Sequence, residues 1–532
     1  MLTTRKLVLA VGIAGMAAAG AATAATAPVA AGRAFHIAGS TALDNQIKAA
    51  LLLGTTATGG AVPAAQTTCQ AGSITVYTDA PPLAGGNLTK AHQTTIVCTL
   101  NNAIGTLPVG TAVAFTKESN GGSNEGTFFV AAQQKLAFMD ATVAPGGCTN
   151  EGAIAEGHYF THQQAIATEF DGCTSTIVQA TPDVGVADED PALFNIGLQA
   201  INPNLIANLN TTPLFQNQFG IGVSLNLYRA LQAQQGLTVG DDTLANMPTL
   251  SRAQIAGLFG GAITNWNQIV SSTGTPLTAG TVFTCRRGDN SGTNVSADVY
   301  FLHNRCASTG TPMVQATSTT CTGLPAGQTA ENNGCTWNAA NINDVTFAGT
   351  AGGDVVSCLD AHARNGTFAY GPLGVTSKFD DPNGANGAAG EAGTAHFRYV
   401  AIDAMKPTVQ ALGNGNYDYA FDNVENLFTG LGGNQLAVGQ YLGTLFQNVT
   451  ALSDILVTQT NALSSGTGHP ADANYVVGGV QDGLTGTPNN PPVSAATIKS
   501  NPTSDFTFAA GGTVNNCQVP LTVGNSVAKE VF

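Results

Sequence analysis

Charged side chains are scarce in this chain of 532 residues. They make up 10% of the sequence, against roughly a quarter in an ordinary soluble domain. The acidic residues (33) outnumber the basic ones (18), which leaves a net charge of −15. Nucleic acids are therefore excluded as partners, because a phosphate backbone requires a basic surface. Hydrophobic residues reach 43%, which excludes disorder along the whole chain.

Several catalytic and metal-binding motifs are also absent. The sequence contains no CxxC pair, no GxSxG turn and no HExxH helix, which disfavours a redox dithiol, a zinc ribbon, a serine hydrolase and a zinc protease. His158 and His162 stand four residues apart, but two histidines alone make a poor metal site. We therefore predict a protein that is not an enzyme and has no metal or cofactor, with a secreted phosphatase as a weak alternative.

The first 24 residues have the pattern of a signal peptide. Arg5 and Lys6 precede an apolar run, Leu7 to Ala19, that is too short to span a bilayer. Ala22-Thr23-Ala24 has the small-x-small pattern of a cleavage site. Later apolar stretches are too short to cross a membrane. The sequence therefore predicts export to the periplasm or the medium, without stable membrane insertion.

Ten cysteines are present, and an even number in an exported protein favours disulfides. Pairs that are close in sequence are plausible partners, although connectivity cannot be deduced from spacing. These pairs are Cys69 with Cys98, Cys148 with Cys173, and Cys321 with Cys335.

Short apolar strands alternate with helical patterns, which predicts an α/β fold. In the clearest unit, a strand over Phe219–Val223 leads through Ser224 into a helix over Leu225–Gln235. Ser251 and Gln254 have the spacing of a capping box at the start of another helix.

Other regions are defined mainly by composition. Residues 55–180 are predicted to be strand or loop, and residues 303–360 a cysteine-rich insertion. Residues 420–460 have a helical pattern, and the last 70 residues give no clear prediction.

The most informative motif is the stretch 287–293, RGDNSGT, which follows a predicted strand and begins a helix. Arg287 offers a planar fork suited to a tetrahedral oxyanion, and Asp289 is expected to orient it. Ser291 and Thr293 supply hydroxyl donors, and Gly292 allows close approach of the backbone. A helix start also favours anions through its N–H groups and dipole.

A second helix start rich in donors occurs at Gly39-Ser40-Thr41. Two such starts strengthen the interpretation of an anion site. Because Arg286 and Arg287 alternate along one strand, one of them faces away, and we expect Arg287 to face the ligand.

These stretches resemble the periplasmic phosphate-binding proteins of ABC importers, of which this chain would be a long, divergent member. The resemblance spans roughly residues 36–420, with large insertions. The matching segments, in family order, are AGST at 38–41, VGVAD at 184–188, LSRAQIAGLFGGAITNW at 250–266, RRGDNSGT at 286–293, FAYG at 368–371, YVAIDAMKP at 399–407 and GNGNY at 413–417.

The resemblance implies a type II periplasmic-binding fold. Such a fold has two lobes, each a mixed sheet flanked by helices, with the ligand in the cleft between them. Residues 25–210 would begin the first lobe, residues 211–400 would form the second, and residues 401–532 would return to the first and extend beyond it. The implied ligand is inorganic phosphate, and the implied partner is an ABC permease.

The resemblance also implies roles for particular residues. Ser40 and Thr41 would donate hydrogen bonds from the first lobe, and Asp188 would accept the proton of hydrogen phosphate. That contact would reject sulfate, which has no proton to give. A further serine is expected in a glycine-rich turn, with Ser123 as the candidate and Ser119 as its rival. Four residues would close on the anion from the second lobe: Arg287, Ser291, Gly292 and Thr293.

The sequence departs from the family pattern in two respects. Ala187 stands where the family usually has a small hydroxyl residue, and Asp188-Glu189-Asp190 leaves open which acid faces the ligand. The chain is also much longer than usual, and its insertions could build a different interaction surface. A secreted surface protein that kept the fold and lost the ligand is therefore the main alternative.

Overall fold

The structure is a computed structural model, and it describes about two thirds of the chain. The described residues are 27–41, 47, 51, 68–70, 72–79, 92–119, 121–152, 167–174, 176–197, 199–306, 310–318, 321, 324, 329–375, 396–407, 411, 416–447 and isolated residues between 476 and 522. The predicted signal peptide, His158 and His162 lie outside them.

Strands dominate the described part of the chain. The strands are β1 Ala34–Gly39, β2 Ile74–Thr78, β3 Gln93–Thr99, β4 Ala112–Glu118, β5 Leu136–Met139, β6 Thr149–Gly152, β7 Ala167–Asp171, β8 Ile177–Ala180, β9 Val184–Ala187, β10 Leu209–Ser224, β11 Thr249–Leu250, β12 Phe283–Arg287, β13 Thr346–Gly349, β14 Ala369–Gly374, β15 Phe397–Ile402 and β16 Ala420–Phe428, followed by two-residue strands after residue 475.

The α-helices are fewer than the strands. They are α1 Pro203–Ile206, α2 Leu225–Gln234, α3 Arg252–Phe259, α4 Gly292–Leu302, α5 Ala330–Asn333, α6 Gly352–Arg364 and α7 Gly433–Gln447. The predicted α/β class is confirmed, since helices accompany a large sheet with parallel and antiparallel pairs.

Fourteen of these strands form one continuous sheet in the order β13-β12-β14-β10-β16-β9-β1-β4-β3-β2-β7-β6, with β15 paired to β10 and β11 paired to β15. Strands β5 and β8 pair with each other in a separate sheet. At the centre of the large sheet, β1 runs parallel to both β4 and β9. The carboxyl ends of these three strands therefore meet at one edge. In open α/β sheets, ligands bind at such edges.

The long strand β10 divides this sheet into two sections. Its first half pairs with β16, from Leu209↔Phe428 to Gln218↔Ala420, and β16 pairs in turn with β9. Its second half pairs with β14 and β15. We call the strands on the β9 side the first section and those on the β14 side the second section.

Each section has its own buried core. Phe35, Ile37 and Phe115 belong to the core of the first section. Trp266 and Tyr370 belong to that of the second, and their rings meet nearly edge to face. Trp266 is a packing residue, since its side chain is fully buried beside Phe368.

Disulfides brace both sections, and the three pairs expected from spacing are confirmed: Cys69–Cys98, Cys148–Cys173 and Cys321–Cys335. Sequence spacing did not reveal Cys285–Cys358 and Cys306–Cys517, because their partners are 73 and 211 residues apart.

The local predictions at helix starts are accurate. Ser224 precedes α2, and Ser251 and Gln254 form the capping box of α3. The helical prediction for residues 420–460 is wrong at its start, because Ala420–Phe428 is a buried strand that joins β9 to β10. The apolar residues Phe421, Val424 and Phe428 recur at the spacing of a helix, so the sequence pattern favoured the wrong element. Within the described residues, no helix is both long and apolar enough to cross a membrane.

The stretch 303–360 is also more than an insertion. Its last part forms β13, which pairs with β12, and begins α6. Helix α6 carries Val355, Cys358 and Leu359 into the core of the second section. This stretch therefore supplies part of the sheet and its packing, in addition to the cysteine-rich loops.

Candidate functional site

The carboxyl ends of β1, β4 and β9 bring together three of the predicted residues. Ser40 follows β1, Asp188 follows β9, and Ser123 lies in the turn after β4. All three side chains are buried. Thr41 comes next to Ser40 and is partly buried.

Asp188 is the centre of this arrangement. Its Oδ1 accepts hydrogen bonds from Ser40 Oγ at 2.5 Å and Asn217 Nδ2 at 2.9 Å, with Asn423 Nδ2 at 3.4 Å. Its Oδ2 accepts from Ser123 Oγ at 2.9 Å. Burial raises the pKa of Asp188, while the hydroxyl donors, the positive charge of Arg287 and the Asn217 amide oppose that shift.

Glycines allow these turns to approach each other. Gly39 has φ +116°, and a Cβ there would lie 2.0 Å from the carbonyl oxygen of Val186. A Cβ on Gly126 would lie 2.3 Å from the same oxygen. The backbone N–H of Ser40 donates to that oxygen at 2.9 Å. Only glycine fits such contacts, so these residues fix how the β1, β4 and β9 turns pack.

The second side of the site comes from the loop after β12 and the start of α4. Ser291 is the N-cap of α4, and Gly292 and Thr293 are its first residues. A Cβ added to Gly292 would lie 2.4 Å from Asp188 Oδ2 and 2.5 Å from Ser123 Oγ. The start of α4 therefore packs directly against the Asp188 carboxylate.

Arg287 lies beside the Ser123 turn. A Cβ on the preceding Gly122 would be 3.5 Å from the Arg287 side-chain nitrogen Nη2. The guanidinium donates through Nε to the carbonyl of Gly349 at 3.1 Å and through Nη2 to that of Thr350. Burial lowers the pKa of Arg287 to about 10, so the group stays charged at neutral pH, and the negative charges of Asp354 and Asp188 favour that form.

The prediction that Asp289 orients Arg287 is wrong. The Asp289 carboxylate lies 3.6 Å from Arg286 and 3.8 Å from Arg305. The backbone after β13 orients Arg287 instead. Arg286 is fully buried and pairs with Glu331 at 2.5 Å. As expected, one of the two arginines has a structural role. This is Arg286, whose charged partners, Asp289 and Glu331, both belong to the second section.

The three consecutive acids have different surroundings. Asp188 faces Ser40 and Ser123, whereas Asp190 caps a short 3₁₀ turn by accepting from the N–H of Ala192 at 2.9 Å. The Glu189 side chain is buried and has no hydrogen-bond partner among the residues that the structure describes. Of the three acids, Asp188 is therefore the one that contacts Ser40 and Ser123, whereas Asp190 makes a local structural contact.

Two further features of the site were not predicted from the sequence. Lys117, at the end of β4, is a buried cation that donates to the carbonyl of Gly39 at 2.9 Å and to Ser119 Oγ at 2.9 Å. It holds the turn that leads into Ser40, and it contacts Ser119, the alternative to Ser123 in the sequence analysis. The available signal was a lysine directly after the apolar run 112–115 and Thr116, in a chain with few charges.

The second feature is a pair of side-chain amides that donate hydrogen bonds to Asp188. Asn217 and Asn423 lie on β10 and β16, the strands that connect the two sections. No local motif marks them, because they reach Asp188 across 29 and 235 residues.

Metal-binding side chains converge at one place in the described residues: Cys285, Cys358 and His362. The two cysteines form a disulfide there, so their sulfurs are bonded to each other.

Comparison with known proteins found no matching family model and no matching curated protein. Among solved structures, the chain is similar to an ABC-type phosphate transport receptor from Vibrio cholerae, with 13% identity, a TM-score of 0.29, and coverage of 52% of this chain and 79% of that one. It is also similar to PstS from Borrelia burgdorferi, with 12% identity, a TM-score of 0.26, and coverage of 52% and 78%. At this level of similarity, the ligand has to be inferred from this chain's own residues.

Proposed function

We propose that this chain is an exported substrate-binding protein that holds inorganic phosphate between its two sections. One observation carries the proposal: the Asp188 carboxylate and the Ser40 and Ser123 hydroxyls meet the N-terminus of α4 beside Arg287. A carboxylate within an otherwise donor-rich anion site suits an oxyanion that carries a proton. Phosphate carries one at neutral pH, and sulfate does not.

Charge balance supports a small anion as the ligand. Buried Arg287 and the dipole of α4 favour negative charge, and buried Lys117 lies behind the Ser40 turn. These groups act at short range, so they operate within a chain of net charge −15. The overall negative field would slow the association of an anion but would not prevent it.

In this proposal the ligand replaces protein contacts at the site. The Ser40 and Ser123 hydroxyls rotate from Asp188 toward phosphate oxygens, and Asp188 accepts the phosphate proton. Thr41, Ser291, Gly292 and Thr293 add donors around the anion. An ABC permease in the membrane would then take the ligand, and the protein would act in the periplasm or outside the cell.

Isothermal titration with phosphate, arsenate and sulfate tests the proposal. The protein should first be unfolded, dialysed and refolded to remove any anion carried through purification. We expect heat from phosphate and arsenate and none from sulfate at neutral pH. A folded sample that gives no heat with phosphate contradicts the proposal.

A specific observation favours a second candidate, a secreted surface protein that lost the ligand. Asp188 is already satisfied by donors from Ser40, Ser123 and Asn217, and Gly292 packs against it. These contacts could hold the two sections together without an anion. In that case Asp188→Asn should lower thermal stability while phosphate leaves the melting temperature unchanged in both proteins.

A further inference from the structure

Glu189 is a fully buried residue, with 0% of its surface exposed. Within the described part of the chain, neither of its carboxyl oxygens has a hydrogen-bond partner. Burying an ionised carboxylate without a partner costs several kcal/mol, so such a group takes up a proton instead. Its position directly after Asp188 places this proton beside the candidate site.

The charged and titratable groups around Glu189 do not remove this cost. Asp188 on the same segment adds negative charge, Arg305 after α4 adds positive charge, and Tyr419 before β16 is a neutral phenol. The Arg305 guanidinium is committed to Asp298 at 2.9 Å and to the carbonyl of Leu193 at 3.1 Å. Burial first, and Asp188 second, hold the pKa of Glu189 well above its usual range.

Asp188 has the opposite surroundings. Two of its donors are the side-chain amides of Asn217 and Asn423, both directed at Oδ1. A hydroxyl can donate or accept, but an amide nitrogen can only donate. Oδ1 is thus held as an acceptor even when the serine hydroxyls turn to a ligand. When two neighbouring carboxyls share a proton, the one with more donors keeps the negative charge.

We propose that Asn217 and Asn423 are positioning residues that fix the negative charge of the Asp188–Glu189 pair on Asp188, while Glu189 carries the proton. The site then presents one carboxylate, which accepts a proton from the bound oxyanion. Selectivity for protonated oxyanions over sulfate follows from this division of charge. The inference rests on the proposed phosphate-binding function.

Removing an amide should weaken the discrimination against sulfate. In Asn217→Leu, Asp188 loses a donor and becomes protonated at higher pH, and a protonated Asp188 can donate to sulfate. We expect sulfate binding to begin at least one pH unit higher than in the wild type. Asn423→Leu should shift it in the same direction by less, because its contact is longer. Titrations with sulfate and phosphate across mildly acidic pH measure this shift.

Gln232→Met is the matched control for a lost buried amide. Gln232 is fully buried and its amide donates to the backbone of Asp241 and Asn246, with no contact to Asp188. This variant should keep the sulfate profile of the wild type. If both asparagine variants also keep that profile, the positioning role is wrong.

Neutral replacements of Glu189 test the other half of the proposal. Glu189→Gln and Glu189→Met cannot ionise, so both variants keep the neutral group that the proposal assigns to this position. We expect the wild type and both variants to bind phosphate with equal affinity near pH 7, because none of them adds a negative charge beside Asp188. Comparing proteins at the same pH cancels the titration of phosphate itself. Roughly tenfold weaker binding by the wild type than by both variants would mean that Glu189 is charged, and it would contradict the role of Glu189.

Infrared spectroscopy separates this inference from the proposed function. The carbonyl stretch of a protonated carboxyl should be present in the wild type at neutral pH and weaker by one group in Glu189→Gln. If the band difference is found but phosphate does not bind, the proposed function is wrong, whereas the assignment of the proton to Glu189 stands. Identical spectra place the proton elsewhere and overturn the inference, whether or not phosphate binds.

Discussion

The two sides of the candidate site hold their polar groups in different ways. On the first side, Ser40, Ser123 and Asp188 contact one another through hydroxyl groups that can rotate. On the second side, backbone carbonyls of residues 349 and 350 hold the guanidinium of Arg287. The first side can exchange partners, whereas the second is fixed in advance. A ligand would thus replace side-chain hydrogen bonds on the first side. On the second side it would meet a guanidinium that the backbone already holds in position.

The sections behind these two sides also bury different ionisable groups. Glu425 on β16 is buried near the backbone of Gly443, and burial raises its pKa to about 8. In the second section, burial lowers the pKa of His362 to about 4. Both groups are neutral near pH 7. Through these groups, the first section loses stability as pH rises toward 8, and the second loses stability as pH falls toward 4.

The largest expected effect comes from removing the fixed cation. Arg287→Met should weaken phosphate binding by about 3 kcal/mol, more than a hundredfold in Kd, since it deletes the charged partner of a buried anion. Isothermal titration measures the change. Arg398→Met is the control, because Arg398 is equally buried but pairs with Asp242. Equal losses in the two variants would show that Arg287 acts only through stability.

A methyl group at the contact between the two sides should have the next largest effect. Gly292→Ala places a Cβ 2.4 Å from Asp188 Oδ2, so the sides must separate. We expect about 2 kcal/mol of lost phosphate affinity, as is typical of overpacking. Gly353→Ala, where no atom lies within 4 Å of the added Cβ, should leave affinity unchanged. Unchanged binding by Gly292→Ala would mean that the sides are not in contact in the bound protein.

The different pH sensitivities of the two sections should appear in thermal unfolding. The folded state binds the Glu425 proton more tightly than the unfolded chain does, so this group removes stability as pH rises from its unfolded value toward about 8. His362 resists protonation in the folded state, so it removes stability as pH falls from its unfolded value toward about 4. Each slope is about 1.4 kcal/mol per pH unit.

Neutral replacements should remove one slope each. The two slopes oppose each other between about pH 4.5 and 6.5, where the pH ranges of the two groups overlap. Glu425→Gln is expected to lessen the loss of stability as pH rises from about 6.5 to 8, to which Glu189 also contributes, and to expose the opposite slope of His362 below pH 6.5. His362→Gln is expected to remove the loss of stability as pH falls below about 6.5. Thermal and urea unfolding at a series of pH values give both profiles. A Glu425→Gln profile parallel to that of the wild type, or a His362→Gln profile parallel to it below pH 6.5, contradicts the assignment of that group.

The smallest expected effect distinguishes the two serines. Ser123→Ala removes a hydroxyl that donates to Asp188 Oδ2, and should cost about 1 kcal/mol of phosphate affinity. Ser119→Ala should have less effect, because Ser119 Oγ accepts from Lys117. Titration of both variants against inorganic phosphate decides between them. The reverse order would make Ser119 the ligand-contacting residue.

Local signals predicted much of this structure. The RGDNSGT turn predicted the start of α4, whereas only the family resemblance grouped Ser40 with Asp188, which the structure brings into contact. The partner of Arg287 was missed because Asp289 is near in sequence, whereas the carbonyls that hold Arg287 come from a strand end about 60 residues later. Residues 420–428 were assigned to a helix because Phe421, Val424 and Phe428 recur at helical spacing, although the segment is a buried strand. Asn217 and Asn423 were missed because pairing between distant strands has no local signature.

Strand β16 has a consequence for the order in which the chain can fold. It lies between β9 and β10, which are close in sequence, yet it begins at residue 420. A growing chain therefore cannot complete the central sheet until about four fifths of it has been made. Contacts of such high sequence separation slow folding. Fragments that stop before this strand should remain open at the junction between the sections, which would keep a partly synthesised chain from closing its site early.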